Sequence, residues 1–208
     1  MIPAKTPKLI SRTLTGFVWN VPNPDNEIFL TFDDGPVPEV TPWVLDVLKS
    51  LNVKATFFCV GENISKYPDI FKRLLSEGHS VGNHTYNHLN GWKTNFDYYL
   101  ENIQKTQQIM QAHGVNSRFF RPPYGKIKPG QSRFLTENDY KIVMWDVLSK
   151  DYLQTIKPEQ VKANILNNVS SGSIIVCHDN IKAFKNLKAV LESAIGELIS
   201  RGFVLKAL

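Results

Sequence analysis

The sequence predicts an α/β fold in which parallel strands are connected by helices. Seven short apolar runs read as strands, and helical patterns with apolar residues every three to four positions lie between most of them. This alternation favours parallel strands with crossover helices. Ionisable residues that could take part in catalysis or metal binding follow most of the predicted strands. Both a (β/α) barrel and an open doubly wound sheet have their functional sites at the carboxyl ends of the strands. The alternation alone leaves both architectures open.

The composition fits one globular domain. The chain has 208 residues, of which 42% are hydrophobic and 21% charged. Its net charge of +5 comes from scattered residues rather than a basic run, so we expect no nucleic-acid partner. No apolar stretch suits a secretory signal or a membrane span, so we expect a cytoplasmic protein unless an export segment has been removed. Cys59 and Cys177 lie in apolar runs and are expected to stay unpaired.

The predicted elements follow an N-terminal lead. Residues 1–26 are expected to be an irregular lead packed on the domain, and residues 27–208 a single domain. The predicted strands cover about residues 27–32, 55–60, 79–83, 118–121, 141–146, 173–177 and 203–205. The predicted helices cover about residues 41–51, 68–77, 95–112, 130–138, 158–170 and 187–199, the first with Thr41 as its N-cap.

Two adjacent carboxylates, Asp33 and Asp34, follow the first strand and precede a Gly-Pro turn. Neighbouring side chains on a strand point to opposite sides, so one carboxylate can face a metal ion and the other a proton. Ordinary turn chemistry also explains Asp-Asp-Gly-Pro, because these residue types favour turns. The residues at the ends of the later strands are therefore needed to distinguish an ordinary turn from a functional site.

A histidine pair follows the third strand. His84 and His88 are four residues apart, a spacing that is also common on solvated helices. Together with one carboxylate they would give three protein ligands and an open position, the pattern of a catalytic metal site. A bound divalent ion would lower the pKa of a water molecule to about 7. His79 and His113 are expected to be structural or solvated.

Further polar residues follow the later strands. Arg121 is either an exposed loop residue or a cation that keeps a carboxylate ionised. Tyr124 lies in the constrained loop that follows, whose backbone N–H groups could meet an oxyanion. His178 is either an ordinary strand-end residue or a general acid. Either Asp146 or Asp151 orients His178 in the second case.

These residues resemble, in order and spacing, the five motifs of the carbohydrate esterase family 4 polysaccharide deacetylases, the NodB homology domain. The matching segments are 31–36, 84–88, 121–124, 145–152 and 176–178. The resemblance implies a distorted (β/α) barrel of about seven parallel strands and a hydrolase that removes acetyl groups from an N-acetylglucosamine glycan such as chitin or peptidoglycan. An acetylxylan esterase or other small amide or ester hydrolase is an alternative, as is a catalytically silent metal- or carbohydrate-binding domain.

The resemblance also implies roles for the matching catalytic residues. Asp33 looks like the general base, braced by Arg121 with Asp151 behind it, and His178 looks like the general acid. The backbone N–H of Tyr124 would assist the oxyanion.

The same resemblance makes Asp34, His84 and His88 the ligands of a divalent metal ion, with Zn²⁺ favoured over Co²⁺, Ni²⁺ or Mn²⁺. The expected partner is an acetylated glycan.

Three positions depart from the family pattern. An Asp is common where Leu148 stands, a Trp where Tyr152 stands, and a Leu where Val176 would line the acetyl pocket. Because the last two keep aromatic and aliphatic character, we expect activity with a pocket of altered size. Trp43 and Trp92 are, with Tyr152, candidates for stacking on a sugar.

Overall fold

The computed structural model describes residues 3–208, which fold into alternating strands and helices. The strands are β1 Glu27–Asp33, β2 Thr56–Cys59, β3 Ser80–Asn83, β4 Phe119–Phe120, β5 Lys141–Ile142, β6 Val147–Leu148, β7 Ile174–His178 and β8 Val204–Lys206. The helices are α1 Lys8–Thr13, α2 Val40–Ser50, α3 Gly61–Lys66, α4 Pro68–Ser76, α5 Phe96–Ala112, α6 Pro129–Glu137, α7 Pro158–Leu166 and α8 Ile181–Ser200. Each predicted helix has its counterpart among them.

All of these strands belong to one sheet, and every pairing between them is parallel. The order along the sheet is β5-β4-β3-β2-β1-β7-β6, with β8 beside the start of β1. Within residues 3–208, the two outermost strands, β5 and β6, are not hydrogen-bonded to each other. The sheet is therefore a curled, incompletely closed barrel, which confirms the distorted (β/α) barrel.

The predicted strand at 141–146 is too long, because only Lys141 and Ile142 form a strand there and the next strand, β6, begins at Val147. The backbone between β5 and β6 pairs with the N-terminal lead: Val18 donates to Ile142 O at 2.8 Å and accepts from Met144 N at 2.7 Å. Thr6 N also donates to Asp146 O at 2.8 Å. The lead therefore takes up hydrogen bonds that a neighbouring strand would otherwise make. The main path of the sheet contains seven strands, as expected, and β8 is an eighth strand beside β1.

The lead itself is more regular than expected. It contains the six-residue helix α1, and Trp19 is buried against the domain. Met1 and Ile2 lie outside the described residues. Neither α1 nor α3 was predicted from the sequence, because α1 buries no side chain and α3 buries only Gly61 and Ile64. Such short helices lack the apolar repeat on which sequence prediction depends.

The alternation of side chains along β1 positions the functional residues. Ile28, Leu30 and Phe32 belong to the large core cluster that includes residues of α2 and α8. Thr31 and Asp33 point to the opposite face of the strand, where both contact the buried side chain of Arg121 inside the barrel. An apolar core on one face of β1 therefore holds a carboxylate at its end on the other face.

Helix α8 begins earlier than its apolar repeat suggests. The side chain of Asn180 accepts a hydrogen bond from Ala183 N at 2.8 Å and caps the helix, so that it begins at Ile181. None of the helices within residues 3–208 has the length and apolar surface that crossing a bilayer requires. Cys59 and Cys177 are buried and unpaired, as expected.

His79 is a structural residue, which is one of the two alternatives expected from the sequence. Its Nδ1 accepts a hydrogen bond from Ala55 N at 3.2 Å, and its ring meets Phe57 edge-on. Its Nε2 is buried, with no partner in the described part of the chain. Burial, helped by the charge of Lys54, lowers the pKa of His79 from 6.5 to about 4. The folded protein thus holds this imidazole neutral.

We predict that the free energy of unfolding falls as the pH drops from about 6.5 towards about 4, because the unfolded chain takes up a proton at His79 that the folded chain does not. The loss should be on the order of 2 kcal/mol and should be absent at higher pH. Urea unfolding at several pH values should show a shallower acid loss for His79→Gln than for the unaltered protein. Parallel pH dependences for the two proteins would contradict this assignment.

Candidate active site

The carboxyl ends of the strands bring the predicted site residues together. Eight of them line one cavity of about 390 Å³. They are Asp33, Asp34, His84, His88, Tyr124, Tyr152, Val176 and His178. The other two, Arg121 and Asp151, are fully buried and are hydrogen-bonded to Asp33 and His178. Asp33 and His178 are direct partners in the β1–β7 register.

Arg121 is a buried cation and not an exposed loop residue. Its Nη1 donates to Asp33 Oδ1 at 2.6 Å and to Thr31 Oγ1 at 2.7 Å. Its Nε and Nη2 donate to the carbonyls of Val143 and Met144. A buried carboxylate needs such a partner, because an unpaired buried charge costs several kcal/mol. The contact therefore pairs the Asp33 carboxylate with a buried cation and fixes its orientation.

Asp34, His84 and His88 form a cluster that could hold a metal ion, since one ligand atom of each lies within 4.8 Å of the others. Asp34 Oδ1 lies 3.5 Å from His84 Nε2 and 3.0 Å from His88 Nε2. It is buried, yet it accepts no hydrogen bond from any residue in 3–208. A buried carboxylate oxygen left open beside two imidazole nitrogens is a fit for a divalent cation.

Neighbouring groups orient these three side chains. His84 Nδ1 contacts the carbonyl oxygen of Arg121 at 2.7 Å. A carbonyl only accepts, so Nδ1 carries the proton and Nε2 turns its lone pair towards Asp34, as metal-binding histidines do. Tyr124 Oη lies 3.1 Å from His88 Nδ1, and Asn180 Nδ2 donates to Asp34 Oδ2 at 2.5 Å.

The electrostatics of the cluster keep its carboxylate ionised. Burial raises the pKa of Asp34, but the facing imidazoles of His84 and His88 outweigh burial and hold the pKa well below its usual value. An ionised carboxylate is the form that binds a metal ion.

Asp151, and not Asp146, contacts His178. Its Oδ1 lies 2.7 Å from His178 Nδ1, and its Oδ2 accepts from His178 N at 2.7 Å. Asp146 instead pairs with Lys5 at 2.7 Å and accepts from Ile174 N, at the opposite end of β7. Burial lowers the pKa of His178, but the Asp151 carboxylate outweighs it and raises the pKa to about 9. His178 therefore holds a proton at neutral pH.

Asp179 is a positioning residue that the sequence places at a strand end but to which sequence reasoning assigned no role. It is fully buried, accepts from Gly35 N at 3.0 Å through Oδ1, and accepts from Thr41 Oγ1 at 2.6 Å through Oδ2. Thr41 was wrongly predicted to be a helix N-cap: α2 begins at Val40, and the Thr41 hydroxyl instead binds Asp179. This contact ties the turn after Asp34 to the end of β7, and the only sequence signal for it was an Asp directly after His178.

One wall of the cavity is apolar. Leu148 and Val176 are register partners in β6 and β7, and both line the cavity together with Trp145. The ring of Tyr152 meets that of His178 edge-on, with 4.9 Å between centroids. Leu148, which stands where the family pattern often has an acid, therefore belongs to a wall suited to a small apolar group.

The chain is a (β/α)-barrel protein with an Asp-His-His cluster that could hold a metal ion at the carboxyl ends of its strands. A family model described as polysaccharide deacetylase matches residues 20–143, more than half of the chain. The chain therefore belongs to the polysaccharide deacetylase family.

Individual relatives support the same assignment. A peptidoglycan-N-acetylglucosamine deacetylase of Bacillus cereus is 46% identical over 153 residues, which are 73% of this chain and 55% of that protein. A second enzyme of that name from Bacillus cereus is 33% identical over 192 residues, covering 91% of this chain and 90% of the relative. The crystal structure of a peptidoglycan N-acetylglucosamine deacetylase superposes with a TM-score of 0.90 at 38% identity, covering 98% of this chain and 95% of the other.

The close approach of Gly35 to Asp179 predicts a strong effect of one methyl group. A Cβ at Gly35 would overlap the Asp179 carboxylate, so Gly35→Ala should lower the free energy of unfolding by about 1–3 kcal/mol. Gly196→Ala is the matched control: it lies in α8 with no atom within 4 Å of the added Cβ, and should stabilise the helix by about 0.5–1 kcal/mol. Urea unfolding measures both changes, and equal midpoints for Gly35→Ala and the unaltered protein would contradict the overlap.

The contact between Asp151 and His178 predicts how the imidazole titrates. In chelator-treated protein, NMR titration should place the pKa of His178 near 9, and Asp151→Asn should lower it because the attracting charge is lost. Asp146→Asn removes a carboxylate at the other end of β7 and should leave the titration of His178 unchanged. An equal shift in both variants would show that Asp151 is not the orienting partner.

Proposed function

We propose that this protein is a metal-dependent deacetylase that removes acetyl groups from an N-acetylglucosamine-containing glycan of the peptidoglycan or chitin type. One observation carries this proposal: a braced carboxylate, a three-ligand metal cluster and a protonated histidine face a single cavity with an apolar wall. The names of the relatives, which are peptidoglycan-N-acetylglucosamine deacetylases, support the choice of substrate class.

Asp34, His84 and His88 would hold the metal ion, and their one carboxylate and two imidazoles suit Zn²⁺, with Co²⁺, Ni²⁺ or Mn²⁺ as alternatives. When bound, the ion acidifies water and polarises the acetyl carbonyl. The buried contacts of His84 and Asp34 hold the ligand atoms in place before any ion arrives.

Asp33 acts as the general base. Arg121 occupies its Oδ1, while its Oδ2 lies 3.9 Å from His84 Nε2, on the side of the metal cluster. That oxygen is placed to take the proton of the attacking water. The buried guanidinium of Arg121 stabilises the orientation of the Asp33 carboxylate.

His178 acts as the general acid. The leaving amine is too basic to depart unprotonated, and the imidazole, held by Asp151 through Nδ1, presents its other nitrogen to the cavity to supply the proton. The backbone N–H of Tyr124 stabilises the charge that develops on the carbonyl oxygen. Val176, Leu148 and Tyr152 enclose the acetyl methyl group.

A silent binding domain would have no use for this arrangement. Burying Arg121 and Asp33 together costs desolvation energy that pure glycan binding does not require. The His178–Asp151 pair likewise serves proton transfer rather than binding.

We predict that Asp33→Asn retains the metal ion but loses a factor of about 10²–10⁴ in turnover, because it removes the base without removing a ligand. His84→Ala should lose both metal and activity. Metal content and acetate release should be measured on chitin oligomers, peptidoglycan fragments and acetylxylan, with and without chelator.

Two results would contradict these assignments. Unaltered rates for Asp33→Asn on every glycan that the parent protein cleaves would show that Asp33 is not the base. A metal-loaded parent protein that releases no acetate from any glycan in the panel would favour the silent domain.

A further inference from the structure

Two lysines at the cavity have no assigned role in the reaction. Lys126 and Lys182 both line the cavity that contains the metal cluster. Throughout the described residues 3–208, neither ammonium group forms an ion pair with a carboxylate. Most exposed lysines need no explanation, but two unpaired cations that approach one reaction site from different elements do.

Lys182 lies where a helix disfavours a cation. It is the second residue of α8, and the first turn of α8 contains no acidic residue. The exposed N–H groups of a helix N-terminus carry partial positive charge, so a lysine there is unfavourable unless it meets an anion. Helices α5 and α7 follow the usual preference and have Asp97 and Glu159 in their first turns. Helices α1, α2 and α6 also lack an acidic residue in the first turn, but among the residues that line the cavity only Lys182 places a cation at such a helix start.

Lys126 is held at the cavity by an aromatic side chain. Its Nζ lies 5.3 Å from the centre of the Trp92 ring, within reach of a cation–π contact. Trp92 is 59% exposed, and its indole N–H donates to Ile127 O at 3.1 Å, which fixes the ring. Lys126 follows Tyr124, whose hydroxyl contacts His88, by two residues, and both residues line the cavity.

We propose that Lys126 and Lys182 form an anion-recognition pair that selects acetylated glycans with a carboxylate on or next to the reacting sugar. The inference rests on the proposed deacetylase function and narrows its substrate class. Chitin and acetylxylan backbones are uncharged, and they leave both ammonium groups without a counter-ion. A glycan with carboxylates, such as one with lactyl ether groups on alternate sugars, supplies the missing charge. Trp92, beside Lys126, then offers an exposed face for a neighbouring ring.

The test uses two forms of one substrate. A peptidoglycan-type oligosaccharide with free carboxylates is compared with the same oligosaccharide after its carboxylates are converted to amides, which removes the charge and keeps the size. The metal-loaded protein should deacetylate the carboxylate form with a higher kcat/KM, by about fivefold for each ion pair made. Rising ionic strength should shrink this preference, because salt screens exposed charges.

Substitutions locate the source of the preference. Lys126→Gln and Lys182→Gln should each lower the carboxylate-to-amide ratio of kcat/KM by about fivefold, and the double variant should bring the ratio close to one. Lys185→Gln is the matched control: it lies one turn further along α8, is exposed, and does not line the cavity, so its ratio should equal that of the unaltered protein.

The outcomes separate this inference from the proposed function. Equal deacetylation of the two forms by the unaltered protein would overturn the lysine pair and leave the deacetylase function standing. Release of acetate from neither form would reject the proposed function on these glycans. In that case, titration calorimetry with the two oligosaccharides tests the lysine pair separately, and equal affinities would overturn it as well.

Discussion

The buried contact between Arg121 and Asp33 is the interaction on which the structure of this site depends. The guanidinium binds the side chains of β1 and the backbone carbonyls of Val143 and Met144, in the segment where the sheet leaves regular strand pairing. The same cation therefore fixes a carboxylate and supports the barrel at its open side. Its own carbonyl oxygen meets His84 Nδ1, so the orientation of the metal cluster depends on the same residue.

The two ends of β7 bind two carboxylates with different roles: the one at the amino end is structural, and the one at the carboxyl end belongs to the proposed active site. Asp146 and Asp151 are five residues apart and each accepts a backbone N–H of β7, the first from Ile174 and the second from His178. Asp146, at the amino end of β7, pairs with Lys5 and thereby attaches the lead to the barrel. Asp151, at the carboxyl end, contacts the imidazole of His178, which lines the cavity. Parallel strands, whose carboxyl ends share one edge, make this division possible.

The sequence was enough to predict the residues of the site, because each follows a strand and parallel strands end at one edge. It was not enough to choose between Asp146 and Asp151. That choice depended on where one apolar segment breaks into β5 and β6, and the break is caused by contacts with the distant lead. Asp179 was missed for a similar reason: its partners, Gly35 and Thr41, are remote in sequence and are typical turn and cap residues when considered locally.

Three consecutive residues at the junction of β7 and α8 serve three different parts of the site. His178 binds Asp151, Asp179 holds the turn at Gly35, and Asn180 binds Asp34 while it caps α8. The 20-residue helix α8, which packs on the core, therefore begins at residues that contact the proposed acid and one metal ligand, and the backbone N–H of Asp179 donates to the carbonyl oxygen of the proposed base Asp33 at 3.1 Å. Because one junction makes all of these contacts, a substitution that shifts the start of α8 changes the surroundings of Asp151, Gly35 and Asp34 together.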